Sequence, residues 1–384
     1  MPFSSPMRVS GMSSAGLYIH IPFCRRKCAY CNFYSIVPPS DLSPFTHALL
    51  GELSLYADKF EDFDTVYFGG GTPSILPVES IAKILRAVKR NYTILPEAEI
   101  TVEANPGDAD AAYLKSLRFS GVNRLNLGIQ SFDDRILRFL GRRHDRRQAV
   151  AVIENAFSAG FDNIGLDLIY GIPGQTIGLW QETLSQALSF RPHHLSCYQL
   201  TLEADTPLGR QCAENRIEPP GEADQAEFFF RTADFLESAG YSHYEVSNFA
   251  KSASLLSRHN QKYWRHQPYL GVGPSAHSFH RGKRWWNHRS VERYIHAILN
   301  GEAPVAGSEI LTADELRMEA LFLGFRTRRG IDLRDFEEEY GYDLLGGKRE
   351  ALQRLAAAGL IEITGGSIRP TRPGLAVADQ LALI

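Results

Sequence analysis

The sequence predicts an α/β protein followed by a mostly helical C-terminal domain. Three observations carry this. Strand-like and helix-like segments alternate six times over the first 250 residues. The strands are short and apolar, as parallel strands covered on both faces are. From about residue 307 the alternation gives way to helices and one hairpin. Regular alternation builds a parallel sheet, either doubly wound or curled toward a barrel.

The elements follow in order. LYIHIP (17–22) reads as a strand, and a helical stretch covers about 43–58. DTVYFG (64–69) is a strand, and VESIAKILRAVKRNY (78–92) is an amphipathic helix. AEITVEA (98–104) precedes the helix DADAAYLKSLRFSG (108–121), which Gly121 closes. RLNLGIQ (124–130) leads into DDRILRFLG and RRQAVAVIENAFSAG. NIGLDLIYG (163–171) leads into TIGLWQETLSQALSF, and HHLSCYQLT into EADQAEFFFRTADFLESAG (222–240). Most helices open on Asn, Asp or Ser and stop at Gly, which is structural punctuation.

After residue 250 the rhythm breaks. Residues 251–306 carry Trp264, Trp285, Trp286 and many Tyr and His, and read as a connecting segment. In 307–384, LTADELRMEALFLGF, DLRDFEEEYG and KREALQRLAAAG are helical, and LIEITGGSIRPTRPG is a hairpin by its Gly-Gly turn. Three helices and a hairpin make a winged-helix-like pattern. The predicted organisation is a mobile tail over 1–15, an α/β domain over 16–250, the connector, and the C-terminal domain.

Composition narrows the function. The chain is 44% hydrophobic and 22% charged, with a net charge of −3. That is ordinary globular composition, with no global attraction to nucleic acid or an anionic membrane. No apolar run reaches the roughly 18–20 residues that span a bilayer. The first fifteen residues have one Arg and no apolar block, which is a poor signal peptide. A cytoplasmic location is expected, with reduced thiols.

Three of the five cysteines fall in HIPFCRRKCAYCNF, residues 20–33. Cys24, Cys28 and Cys31 have the spacing C-x3-C-x2-C on a loop after the first strand. Structural zinc sites want four ligands, and no second pair follows downstream. A [4Fe–4S] cube also has four irons to ligate. Three thiolates leave one iron open, and an open iron can chelate a small molecule through an amine and a carboxylate. Other polar and glycine-rich features fall at or near the C-terminal ends of strands, where parallel barrels place their active sites. GGGTPS (69–74) follows the second strand, and its glycines let backbone approach a ligand. Glu103, Gln130 and Asp167 lie at or near strand ends, and Arg142 follows the helix after the fourth strand.

Cys24, Cys28, Tyr30 and Cys31 together resemble the signature of radical S-adenosylmethionine (SAM) enzymes. The resemblance implies a partial (β/α)6 barrel. It also implies a cluster that passes one electron to SAM, cleaving it to methionine and a 5′-deoxyadenosyl radical. YIHIPFC (18–24), YFGGGTPS (67–74), VEANP (102–106), RLNLGIQSF (124–132), LGRRH (140–144) and DLIYGIPGQT (167–176) are similar to the oxygen-independent coproporphyrinogen III oxidase-like group. By that resemblance the SAM contacts are Tyr18, Gly70, Gly71, Thr72, Glu103, Gln130, Arg142 and Asp167, with Tyr30 near adenine.

One departure matters. The oxidase carries a further cysteine two residues after the third cluster ligand, where this chain has Phe33. It also has a longer N-terminal extension. Coproporphyrinogen III dehydrogenation is therefore not the expected activity. RHNQKYW (258–264), with its H-N-x-x-Y-W pattern, YLGVGPSAHSF (269–279), RWWN (284–287) and LRMEALFLGFRTRRGID (316–332) resemble the haem chaperone (HemW) branch. That resemblance implies haem and haem-acceptor proteins as partners. Imidazole is a common haem ligand, which makes His259 the candidate. Tyr263 and Trp264 would lie against the porphyrin, and Arg258, Lys262 and Arg265 would meet propionates. His277 and His288 read as ordinary histidines.

The alternatives are a porphyrinogen-processing radical SAM enzyme and an RNA-modifying one. For the second, HRGKRWWNHR (280–289) is short and the chain slightly acidic, so no nucleic acid is expected. Peripheral membrane contact and a homodimer are compatible with the sequence, but no residue demands either.

Overall fold

The structure, a computed structural model, describes residues 14–384. The tail expected over 1–15 lies outside the described residues except for its last two, and Ala15 already belongs to the first strand.

Six strands alternate with helices as the sequence predicts. They are β1 (Ala15–Ile21), β2 (Asp62–Gly70), β3 (Thr93–Ala104), β4 (Arg124–Gln130), β5 (Ile164–Tyr170) and β6 (His194–Gln199). The helices are α1 (Ser43–Leu55), α2 (Val78–Asn91), α3 (Ala111–Phe119), α4 (Asp134–Phe139), α5 (Arg146–Ser158), α6 (Ile177–Ser189), α7 (Pro207–Ala213) and α8 (Glu222–Ser238). Neighbouring strands from β1 to β6 pair in parallel. No pair joins β6 back to β1, so the barrel is partial. Side-chain caps set several helix starts: Asp110, Asp133, Asp145 and Thr176 accept backbone N–H groups at α3, α4, α5 and α6.

The connector is the main correction. Residues 251–306 do not merely link two domains. After β7 (Ser242–His243), β8 (Asn248–Ala250) and α9 (Arg258–Trp264), the segment supplies β9 (Tyr269–Val272), β10 (His277–His280), β11 (Lys283–Asn287) and α10 (Val291–Leu299). β9 pairs in parallel with β1, and β10, β11 and β12 (Val305–Ile310) continue the same sheet antiparallel. Among the described residues the sheet has twelve strands, in the order β12-β11-β10-β9-β1-β2-β3-β4-β5-β6-β8-β7. β12 crosses the boundary expected at 306/307.

A buried carboxylate fastens this extension. Glu52 of α1 is fully buried. It accepts from Gly273 N–H at 2.7 Å, Asn287 Nδ2 at 2.6 Å and Tyr294 Oη at 2.6 Å. One side chain thus ties α1 to the end of β9, to β11 and to α10. Burial pushes its pKa up to about 7, although all three donors favour the charged form.

The C-terminal part is winged-helix-like, as expected. α11 (Ala313–Phe325) is followed by β13 (Ile331–Asp332), α12 (Leu333–Tyr340), α13 (Leu344–Gly347), α14 (Arg349–Ala357), β14 (Ile361–Ile363) and β15 (Ser367–Pro370). Two short helices, α15 (Arg372–Ala376) and α16 (Ala378–Leu381), close the chain. β13, β15 and β14 form a small sheet over a separate apolar core that includes Phe325, Phe336, Leu352 and Ile368.

Candidate functional site

Strand alternation decides what lines the curved sheet. Leu17, Ile19 and Ile21 join the core beneath the helices, so Tyr18 and His20 face the other way. By the same rule Ile100 and Val102 leave Glu103 inside, Leu125 and Leu127 leave Asn126, and Leu166 and Leu168 leave Asp167. The inner face is polar and aromatic from one end of the barrel to the other.

The cysteine loop leaves the C-terminal end of β1 and is pinned along its length. Cys24 N–H donates to the Ile36 carbonyl at 2.9 Å, and Ile36 N–H to the Pro22 carbonyl at 2.8 Å. Ala29 N–H donates to the Leu140 carbonyl at 3.0 Å and its own carbonyl accepts from Leu208 N–H at 3.0 Å. Arg25 pairs with Asp108 at 3.0 Å, and Arg26 donates to the carbonyls of Gly141 and Arg142. Gly141 has φ of +73°, and a Cβ there would sit 3.1 Å from the Ala29 nitrogen. Only glycine seats the loop comfortably there.

The three cysteines share one rim. Cys24 Sγ lies 3.3 Å from Thr72 Oγ1, and Cys28 Sγ accepts from Arg142 Nη1 at 3.4 Å. Cys31 N–H donates to the Cys28 carbonyl at 3.2 Å. Burial raises the Cys31 thiol pKa, and the neighbouring sulfurs of Cys28 and Cys24 push the same way. A cationic iron centre reverses that penalty, which fits the donor set to a cluster. Among the described residues, no three His, Cys, Asp or Glu side chains converge as ligands of a single ion. A cubane does not need that, because its thiolates hold different irons.

Beside the rim lies a polar network. Arg142 donates to the Gly128 carbonyl at 2.6 Å and to Asn105 Oδ1. Asn105 Nδ2 donates to Thr72 Oγ1 at 2.9 Å. Tyr30 lies against Arg142, and burial raises its phenol pKa. Glu103 accepts from Tyr67 Oη at 2.7 Å, and burial pushes its pKa up to about 7. Asp167 accepts from Asn126 Nδ2 at 2.6 Å. Gln130 Oε1, Asp167 Oδ1 and Arg142 Nε are buried without a hydrogen-bond partner among the described residues. Orphaned polar atoms clustered at strand ends are what an absent polar ligand leaves behind.

The glycines differ from expectation in detail. Gly71 N–H donates to the Ile21 carbonyl at 2.8 Å, so this donor closes β1 against β2 and only the other atoms of Gly71 are left to face a ligand. Gly70 has φ of +107°, and a Cβ there would lie 2.6 Å from the His20 ring. The GGGTPS turn therefore seats the cysteine loop and the inner rings, with Thr72 reaching both Cys24 and Asn105.

His259 differs more. The candidate haem ligand by resemblance, it lies on α9, which plugs the N-terminal end of the barrel. It is 1% exposed. Its Nδ1 is 2.9 Å from Thr65 Oγ1 and its Nε2 is 2.9 Å from Tyr263 Oη. Burial lowers its pKa to about 3, so the ring is neutral with both nitrogens engaged. The ring stacks on Tyr67 at 5.0 Å, and Tyr263 meets Tyr269 at 4.7 Å. Lys262 pairs with Asp64 at 2.6 Å, and Arg258 with Asp64 at 3.3 Å. Trp264 lies beneath the Arg326 guanidinium at 5.2 Å. Asn105, Asn126 and Tyr67 were not singled out from sequence. The period-two pattern of β2 and β4 contains Tyr67 and Asn126 once the inner face is known to be polar, and Asn105 follows β3 in the same alternation as Glu103.

Residues 18–187 match the Radical SAM superfamily and residues 311–377 the HemN C-terminal domain. The fold overlays coproporphyrinogen III oxidase (HemN) from Escherichia coli with a TM-score of 0.83 at 23% identity, over 97% of this chain and 90% of that one. A partial parallel barrel with a three-cysteine rim and a HemN-type tail defines a radical SAM protein, whose cofactors are a [4Fe–4S] cluster and SAM. Among relatives, "Heme chaperone HemW" of Bacillus subtilis is 34% identical over 95% of this chain and 97% of its own length. That of Synechocystis sp. is 36% identical over 82% of this chain and 78% of its own. The mitochondrial radical S-adenosyl methionine domain-containing protein 1 of Bos taurus is 32% identical, covering 97% of this chain and 87% of that protein. The chain belongs to the HemW family.

Proposed function

We propose that this protein binds haem and passes it to acceptor proteins. The observation that carries the reading is the 34% identity to a heme chaperone over nearly the whole of both chains. Phe33 supports it, because the position where the oxidase has a further thiol here holds an exposed ring. In this reading Cys24, Cys28 and Cys31 hold the cluster. Tyr18, Gly70, Gly71, Thr72, Glu103, Gln130, Arg142 and Asp167 surround SAM, and Tyr30 lies near its adenine. Cluster and SAM supply one-electron chemistry when bound, while the chain orients them and limits water. His259 serves as a structural link between α9 and the barrel, since both its nitrogens are engaged. No helix among the described residues is long and apolar enough to cross a membrane. We place the chaperone in the cytoplasm, where its thiols stay reduced. Haem and its acceptors are the partners this reading needs.

The test is a haem titration of anaerobically purified protein followed by the Soret band, then transfer to a haem-depleted acceptor. Saturable binding and acceptor activation are expected. Vinyl product from coproporphyrinogen, SAM and reductant would instead make the protein a porphyrinogen enzyme.

A second expectation concerns SAM. Glu103→Gln keeps one acceptor oxygen but replaces the other oxygen of the carboxylate facing Tyr67 and Gly70 with an amide donor and removes its charge, and it weakens SAM binding by about tenfold or more, read by calorimetry. Unchanged affinity takes Glu103 out of the SAM contacts.

A further inference from the structure

Phe33 was informative first as a missing cysteine, but its own setting says more. Phe33 and Val37 are each 69% exposed and Ile36 is 37% exposed. All three lie on one loop directly after Cys31. This loop is pinned: Ile36 hydrogen-bonds through both its N–H and its carbonyl to Pro22 and Cys24. His20 Nε2 lies 3.4 Å from the Tyr34 carbonyl. The backbone therefore holds apolar side chains out in water beside the cluster rim. Apolar surface kept in water is unfavourable, and several exposed apolar side chains on one short loop at a functional site mark a binding surface.

The nearby charges say what it fits. CRRKC puts three cations in a row. Arg25 is paired with Asp108, and Arg26 is occupied by carbonyls. Lys27 is exposed and has no ion pair among the described residues. Arg289, just before α10, lies over the Tyr34 ring at 5.2 Å and also has no ion pair among them. The lip thus presents one aromatic and two aliphatic side chains with two uncompensated cations. A flat apolar molecule bearing two carboxylates is the complement of that surface.

We propose that this lip is where haem docks, with the macrocycle against Phe33, Ile36 and Val37 and the propionates toward Lys27 and Arg289. The assignment rests on the haem-chaperone reading. It sets the cargo beside the cluster loop and away from His259, which lies at the opposite end of the barrel. An anionic membrane would share the chemistry, but stable membrane attachment takes a broader apolar face or a larger basic cluster.

The experiment compares haem affinity by Soret titration in the full chain, the double variant F33S/V37S and the double variant K27Q/R289Q. Exposed substitutions of this kind leave folding nearly unchanged, which melting temperature and iron content verify. Each pair is expected to weaken haem binding tenfold or more. Wild-type affinity in folded F33S/V37S overturns the proposal. Should a variant fail to fold, the dimethyl ester of haem titrated into the natural chain decides: equal affinity for ester and haem overturns propionate capture, and weaker ester binding supports it. Binding to phosphatidylserine vesicles that F33S/V37S abolishes, with haem affinity unchanged, assigns the lip to a membrane and overturns the haem assignment. A natural chain with no saturable haem binding sinks the chaperone reading and the lip together. Normal haem binding in chain and variants alike sinks only the lip.

Discussion

Cys28→Ala, purified and reconstituted without oxygen, retains less than about a tenth of the wild-type iron and acid-labile sulfide, because two thiolates do not retain a cube that needs three. The surroundings sharpen the expectation. Cys28 Sγ accepts a hydrogen bond from Arg142, so the variant also strips the buried guanidinium of one acceptor. The backbone loop should survive, because its pins run through Cys24, Ala29 and Ile36 and not through the Cys28 side chain. Loss of metal without loss of fold is therefore the result to look for, with circular dichroism beside the iron assay. Cys212→Ala is the control, since Cys212 lies in α7 outside the rim. Full cluster content in Cys28→Ala removes the rim from its role.

The second large effect lies away from the cofactors. Glu52→Ala is expected to destabilise the protein by about 3 kcal/mol or more, since buried neutral donors left without an acceptor cost about 1–3 kcal/mol each. Gly273 N–H and Tyr294 Oη lose their acceptor at once, Asn287 Nδ2 keeps only the Gly273 carbonyl at 2.9 Å, and all three groups are buried away from water. The pH dependence gives an independent check. Glu52 titrates near 4.5 when unfolded and at about 7 when folded. Between those values the folded chain binds more protons, so stability falls as pH rises. The contribution is fully present below pH about 4.5 and is lost by about pH 7, and it amounts to at most about 3 kcal/mol. Glu103 and Glu245 are raised in the same direction by burial, so the natural chain loses stability across this window from several groups. Glu52→Gln removes one of them, and its melting temperature should fall less between pH 5 and 8. Parallel pH profiles for variant and natural chain would show that Glu52 is charged on both sides of folding.

Much of this was legible in the sequence because the signals are local. The six β/α units show in short apolar strands such as Leu125–Leu127–Ile129 and in capping residues directly before the helices. The cysteine spacing carries its chemistry within eight residues. The strands β9 to β12 were not legible. They are four to six residues long, contain His, Trp and Gly, and join the sheet only through β9, which pairs with β1 across some 250 residues of sequence. His259 misled for a different reason. Polar residues usually mark a surface, but the inside of this barrel is itself polar, so a helix bearing His, Lys and Arg fits there. Gly71 was placed correctly at a strand end, but sequence alone does not reveal that its N–H is already taken by Ile21.

The insertion of β9 beside β1 also bears on how the chain matures. Until residue 272 has emerged and docked, β1 lacks the partner that β9 supplies over Gly16–Ile19. Naked strand margins of this kind invite intermolecular association. The barrel is therefore not autonomous at the point where its six repeats end, and a growing polypeptide needs shielding until its aromatic stretch arrives to complete it.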